Sequence, residues 1–155
     1  MDIRSYEAAD AGALAQVFYA AVQIGAAEVF TKAQRDAWAP RPPTAEDWAK
    51  RLDRLETVVA HGATGPIGFM SVNLDDGDLD LAFVAPEERG TGVAAALYAV
   101  IEGRARSAGL RRLQCHASPM ARRFFERAGW TVVRPNPVAR RGVVLDNWVM
   151  EKQLV

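Results

Sequence analysis

Residues 83–97, Phe-Val-Ala-Pro-Glu-Glu-Arg-Gly-Thr-Gly-Val-Ala-Ala-Ala-Leu, read as the end of a strand, a glycine turn and the opening of a helix. Phe83 and Val84 close an apolar run, and Pro86 removes a ladder donor and stops the strand. Gly90 and Gly92 permit backbone angles and approaches that a side chain blocks. From Val93 the apolar residues Val93, Leu97, Val100 and Ile101 follow helical spacing. Such a turn aims free backbone N–H groups and the positive end of a helix dipole at one small volume. The segment therefore commits this part of the chain to a strand–turn–helix unit built around an anion, with phosphate the anion it suits best.

Two phosphate-binding patterns compete for it. Gly90-Thr91-Gly92-Val93-Ala94-Ala95 matches the G-x-G-x-x-A dinucleotide fingerprint. That fingerprint calls for an acidic residue about 20 residues later, at the end of the next strand. The next predicted strand, 113–117, runs into His116-Ala117-Ser118 and offers no carboxylate. A P-loop needs Gly-Lys-Ser/Thr, which does not follow the glycines. With the arginine included, Arg89-Gly90-Thr91-Gly92-Val93-Ala94 fits R/Q-x-x-G-x-G/A. This resembles the pyrophosphate-binding motif of the GNAT superfamily of N-acetyltransferases, together with the preceding Val-x-Pro and the following leucine.

Residues 118–130 point the same way. Ser118 is a good N-cap, Pro119 suits the first helical position, and Gly129 suits the C-terminal cap. Ala121, Phe124, Phe125 and Ala128 fall on one helical face, as in any amphipathic helix. The segment also resembles the second GNAT motif, N-x-x-A-x-x-F-Y-E-x-x-G-F. Ser118 stands where Asn is usual and Phe125 where Tyr is usual. That tyrosine is the family's frequent proton donor to the departing thiolate, so the resemblance leaves the role unfilled here. The segments Asp2–Tyr6 and Ala37-Trp38-Ala39-Pro40, and the tail with Arg140-Arg141-Gly142-Val143, Asn147 and Met150-Glu151-Lys152, are similar to the YafP-like branch.

A chain of 155 residues suits one domain, 1–155, with a real core. Nineteen basic and nineteen acidic residues cancel, so there is no electrostatic case for nucleic acid. No apolar run approaches the roughly 20 residues of a membrane span, and the charged N-terminus is unlike a signal peptide. Cys115 is the single cysteine and has no partner for an internal disulfide. Cytoplasmic residence is the expectation.

Periodicity and turn residues predict a strand at 2–6, a helix over 11–29, helices near 32–37 and 44–55, and strands near 57–62, 67–74 and 78–84. A helix at 93–108, a strand at 111–117, a helix at 119–128 and strands near 130–134 and 143–152 complete the order. A meander followed by alternation argues for an α/β (α+β) mixed sheet with helices on both faces. The resemblance implies a mostly antiparallel central sheet whose middle strands splay apart around acetyl-CoA.

By the same resemblance, Arg89, Gly90, Thr91, Gly92, Val93 and Ala94 surround the pyrophosphate arm, and main-chain groups of Phe83 and Val84 pair with the pantetheine. Ser118 and Phe125 flank the cofactor from the second motif. An alkyl ammonium has a pKa near 10 and must lose a proton before it attacks. His116 and Asp80 are the candidate bases, acting directly or through a water. Tyr19, Gln23, Trp38 and Asn147 are candidate acceptor-binding residues. Cys115 could carry an acetyl group, though strand cysteines are mostly inert. His61 and His116 lack a neighbouring ligand cluster, so no metal is expected. The expected activity is acetyl transfer to a primary amine of a small molecule or peptide, with a homodimer as an open possibility. The rival is a non-catalytic acyl-CoA-binding module.

Overall fold

The computed structural model describes residues 1–155. Its first half is an antiparallel meander in the order β1 (Asp2–Ser5), β2 (Glu56–Gly62), β3 (Gly65–Val72) and β4 (Leu79–Val84). Alternation along these strands sends Val58, Met70 and Val72 to one face and Val59, Phe69 and Leu81 to the other. Between β1 and β2 lie α1 (Ala11–Ala20), α2 (Lys32–Trp38) and α3 (Ala45–Leu52). Thr31 and Thr44 cap the last two, accepting from Gln34 N at 3.2 Å and Asp47 N at 3.1 Å. Leu14, Val17 and Phe18 of α1 join Trp48 and Leu52 of α3 in a cluster over Val59, Phe69 and Leu81.

The predicted helix over 11–29 is shorter and changes form. Its α-helical part ends at Ala20, and Ala21–Gly25 widen into a single π-helical turn. The chain then leaves the helix at Gly25, where a residue without Cβ gives little support for another turn. The widened turn buries Val22, brings Ala21 and Gly25 to a cavity wall, and leaves Ile24 67% exposed.

The second half supplies α4 (Val93–Ser107), β5 (Arg112–Ala117), α5 (Pro119–Arg127), β6 (Thr131–Pro135), β7 (Val138–Arg140), β8 (Val143–Leu145) and β9 (Trp148–Gln153). Strands β5, β9 and β6 pair antiparallel in that order, and β7–β8 form a hairpin. The single strand expected near 143–152 is thus two strands, broken at Asp146-Asn147, and β7 is an addition. The break has a local cause. Asn136 N donates to Asn147 O at 2.8 Å, and Asn136 Nδ2 donates to Asn147 Oδ1 at 3.0 Å, tying the chain across the gap.

The two sheets meet where Asp78 and Gln114 form a parallel bridge, with Gln114 N donating to Gly77 O at 3.0 Å. Gly77 has φ 77°, and a Cβ there would lie 2.4 Å from the Arg112 carbonyl oxygen. Only glycine fits this junction. Beyond it β4 and β5 run on without a ladder and separate toward Val84 and Ala117. Helices α4 and α5 cover one face, where Leu97, Ile101, Leu113, Cys115, Phe125 and Met150 are buried together. The result is a mixed α/β fold with a mostly antiparallel, splayed sheet and helices on both faces.

Candidate active site

The gap between the C-terminal ends of β4 and β5 opens into a cavity of about 610 Å³. Ala82, Phe83 and Val84 form one side, and Ser118, Met120, Phe124 and Phe125 the other. The turn at Arg89, Gly90 and Gly92 and the first residues of α4, Val93 to Ala95, close one end. Gly90 and Gly92 have φ 79° and 89°, in the left-handed region, and no atom stands within 4 Å of where their Cβ would be. Gly92 is the N-cap of α4 and makes no side-chain cap hydrogen bond. The first N–H groups of α4 therefore face the cavity side of the turn without intrahelical partners, as an anion seat requires.

Of the residues expected around the cofactor, Phe83, Val84, Arg89, Gly90, Gly92, Val93, Ala94, Ser118 and Phe125 all line this cavity. Thr91 does not, and its hydroxyl donates to Glu88 O at 2.6 Å, bracing the turn from outside. Ser118 Oγ accepts from Ala121 N at 3.3 Å and caps α5. The Arg89 guanidinium reaches across the mouth: it donates to the Gly25 carbonyl, lies 3.1 Å from Met120 Sδ and pairs with Glu28 at 3.5 Å.

Phe125 is 2% exposed and packs on Trp130 at 4.6 Å between ring centroids, so the tyrosine position of the motif presents only hydrocarbon. Tyr98 is no substitute. It accepts from Trp130 Nε1 at 2.9 Å and donates to Glu102 at 2.7 Å, and burial raises its phenol well above the ordinary range. Burial also pushes the Cys115 thiol up to about 12. A thiol so held is a poor nucleophile at neutral pH, which argues against an acetyl-cysteine route.

The candidate bases lie elsewhere. Asp80 occupies the irregularity where Val72 pairs with Leu79 and Ser71 with Leu81, and both its oxygens bind Arg51, at 3.1 and 3.2 Å. It lines a smaller cleft with Asp47, Lys50, Arg51, Arg54, Leu55 and Asn73 rather than the large cavity. His116 pairs with Val149 and is exposed, while its strand neighbours Cys115 and Ala117 point into the core under α4 and α5. Alternation turns His116 to the face opposite Cys115 and Ala117. It does not line the large cavity either. Asp78, at the sheet junction, has its carboxyl raised by burial and by the neighbouring carboxylates Asp80 and Asp76, with His116 acting in the other direction.

Among the expected acceptor residues, Trp38 lines the cavity and also packs edge-on against Phe18 and Phe30, so it is both wall and anchor. Gln23 instead ties α2 in place, donating to Asp36 at 3.1 Å and to Ala39 O at 2.8 Å. Tyr19 packs against the α1–α3 cluster, and Asn147 belongs to the clamp with Asn136. None of these three lines the cavity. Sequence reasoning missed Ala21, Gly25, Glu28, Met120, Arg123 and Arg127, which do. Only the last two carried a signal, as basic residues four apart on a helix whose apolar face was already assigned.

Residues 26–153 match the family model described as an acetyltransferase (GNAT) domain. Over 151 residues the chain is 31% identical to the uncharacterized N-acetyltransferase YafP of Escherichia coli K12, covering 97% of this chain and 94% of that protein. Among solved structures it resembles the GCN5-related N-acetyltransferase "Aminotransferase, Class-II" from Rhodopseudomonas palustris. That likeness has a TM-score of 0.91 at 30% identity, over 99% of this chain and 95% of that one. The PaiA N-acetyltransferase from Thermoplasma acidophilum, solved in complex with coenzyme A, shares the fold at a TM-score of 0.79 and 15% identity, over 98% of each chain.

Proposed function

The chain belongs to the GNAT acetyltransferase family, and from that premise we propose that it moves an acetyl group from acetyl-CoA to a primary amine of a small molecule or peptide. The observation that carries this reading is the uncapped N-terminus of α4 at the end of an apolar wedge between β4 and β5. The residues present fit acetyl-CoA. The open space at Gly90 and Gly92 suits a pyrophosphate, and the free edge of β4 at Phe83 and Val84 suits the amide groups of pantetheine. Bound there, acetyl-CoA supplies an activated thioester.

The chain's own residues then hold, orient and deprotonate. The first N–H groups of α4 neutralise phosphate charge, and Phe83, Phe124, Phe125 and Met120 keep water from the wedge. Trp38, Ala21 and Gly25 form the wall past which the acceptor enters. His116 is the side chain proposed to take the ammonium proton, directly or through a water. Asp80, with both oxygens on Arg51, is the weaker candidate. Phe125 donates no proton, so the departing thiolate, with a thiol pKa of about 8.5, leaves as such and is protonated from water.

A second reading, a non-catalytic acyl-CoA-binding module, is favoured by one observation: neither base candidate lines the cavity. An amine screen followed by free-thiol release separates the two. Saturable, acceptor-dependent thiol release is expected. Acetyl-CoA binding with no acceptor stimulation across the panel would establish the second reading instead. In the same samples, acetyl-CoA at 100 times its Kd should add about 2.7 kcal/mol of stability, while NAD and ATP add none.

A further inference from the structure

The β7–β8 hairpin joins neither main sheet, and its tip keeps a residue that turn chemistry disfavours. Arg140 pairs with Val143, so Arg141 and Gly142 alone make the turn, with φ 49° and 76°. Two consecutive positive φ values belong to a type I′ turn, which favours Asn, Asp or Gly at its first position. Arg141 is the only residue other than glycine with a positive φ in the chain. A long side chain held in that backbone region needs a tertiary reason. The reason lies at the far end of the side chain. Arg141 Nη1 donates at 2.6 Å to the carbonyl oxygen of Ala37. Ala37 is the penultimate residue of α2, so that carbonyl has no partner within the helix.

Ala37 immediately precedes Trp38, the aromatic part of the wall past which the acceptor enters. The hairpin grips the same stretch of chain twice more. Gln34 Nε2 donates to Val144 O at 3.2 Å, and Leu145 is buried with Ala26 and Phe30, where Trp38 and Met120 also pack. Phe30 in turn stands edge-on to Trp38 at 5.7 Å between ring centroids. At the base of the hairpin, the Asn136–Asn147 clamp holds its two legs together. We propose that Arg141 is a positioning residue for the acceptor: it anchors the end of α2 so that Trp38 stands at the amine's point of entry. Arg141 does not itself line the cavity, and it acts through Trp38. The inference rests on the acetyl-transfer reading above.

Kinetics of R141N and R141K with phenethylamine, spermidine and glycylglycine as acceptors test it, beside acetyl-CoA titration of the same proteins. Asn-Gly is a preferred type I′ pair, so R141N keeps the hairpin and loses the reach to Ala37. Its acceptor KM should rise about fivefold or more, with kcat within about twofold and acetyl-CoA Kd unchanged, the pattern of lost uniform binding. R141K, which retains a long donor, should bring KM back to within about twofold of wild type. Hydrogen exchange across α2 should be faster in R141N than in wild type or R141K. An R141N enzyme with wild-type acceptor KM would overturn the positioning role while leaving acetyl transfer intact. Equal weakening of acetyl-CoA and acceptor binding would overturn it too, since the turn would then serve the fold in general. A wild type that binds acetyl-CoA but turns over none of the amines would overturn acetyl transfer, and this inference with it.

Discussion

Gly92 combines the left-handed backbone, φ 89°, with open space where a side chain would begin. The Cβ of a β-branched residue there meets no neighbouring element, so its cost is chiefly a disfavoured φ together with volume placed in the phosphate seat. Gly92→Val should therefore leave a folded protein, destabilised by about 1–2 kcal/mol, that has lost acetyl-CoA binding. Unchanged affinity by calorimetry would mean that the turn is structural only. His116 poses the complementary question, since it lies on the sheet face away from Cys115 and outside the large cavity. If it is the base, His116→Ala should lower kcat/KM tenfold or more and change the pH–rate profile. A rate and profile identical to wild type would move the role to the carboxylates of Asp78 and Asp80. Silence in Asp80→Asn as well would leave positioning as the main source of rate.

At the scale of elements, the junction of the two sheets decides whether the wedge exists. Gly77 is wanted there twice over, by its φ of 77° and by the 2.4 Å approach that a Cβ would make to the Arg112 carbonyl. Gly77→Ala should cost about 2–3 kcal/mol by chemical denaturation, and acetyl-CoA affinity should fall because β4 and β5 can no longer diverge from the same point. Loss of stability with unaltered affinity would show that the wedge does not depend on this junction. The strands predicted near 67–74 and 78–84 left 75–77 as their connection, but did not reveal the tertiary contact that makes Gly77 irreplaceable. The same limit recurs elsewhere. The glycine turn at 89–92 and the Ser118-capped α5 were legible because caps and turns are local chemistry. Asp80 held by Arg51, Gln23 held by Asp36, and Asn147 held by Asn136 were not, because each partner comes from another element or across a chain break. Helical periodicity through residues 21–25 likewise cannot tell an α turn from a π turn, since both keep Val22 inward.

Across the whole molecule, stability at low pH should be governed by carboxylates that join elements. Glu102 on α4 accepts from Lys152 of β9 and from Tyr98, both at 2.7 Å, and from Arg106 at 3.3 Å. Lys152 also donates to Ala128 O at 3.0 Å, so this group ties α4, β9 and the end of α5 together. Burial alone would raise the Glu102 carboxyl, but the hydrogen bonds from Lys152 and Tyr98 outweigh it and hold the group at about 2 against an ordinary 4.5. The folded state thus binds this proton less readily than the unfolded state does. Its contribution is present above about pH 4.5 and is lost as pH falls toward about 2. Asp10, lowered chiefly by its hydrogen bond from Arg4, acts in the same direction, so only a difference between variants isolates Glu102. Glu102→Gln should cost about 1–3 kcal/mol at pH 7, where it removes charge-assisted hydrogen bonds and leaves Lys152 short of its partner. Measured by urea unfolding at stepped pH, the gap between wild type and variant should close progressively between pH 4.5 and 2. A gap that stayed constant over that range would mean that the Glu102 charge does not stabilise the fold, and that its packing accounts for the cost at pH 7.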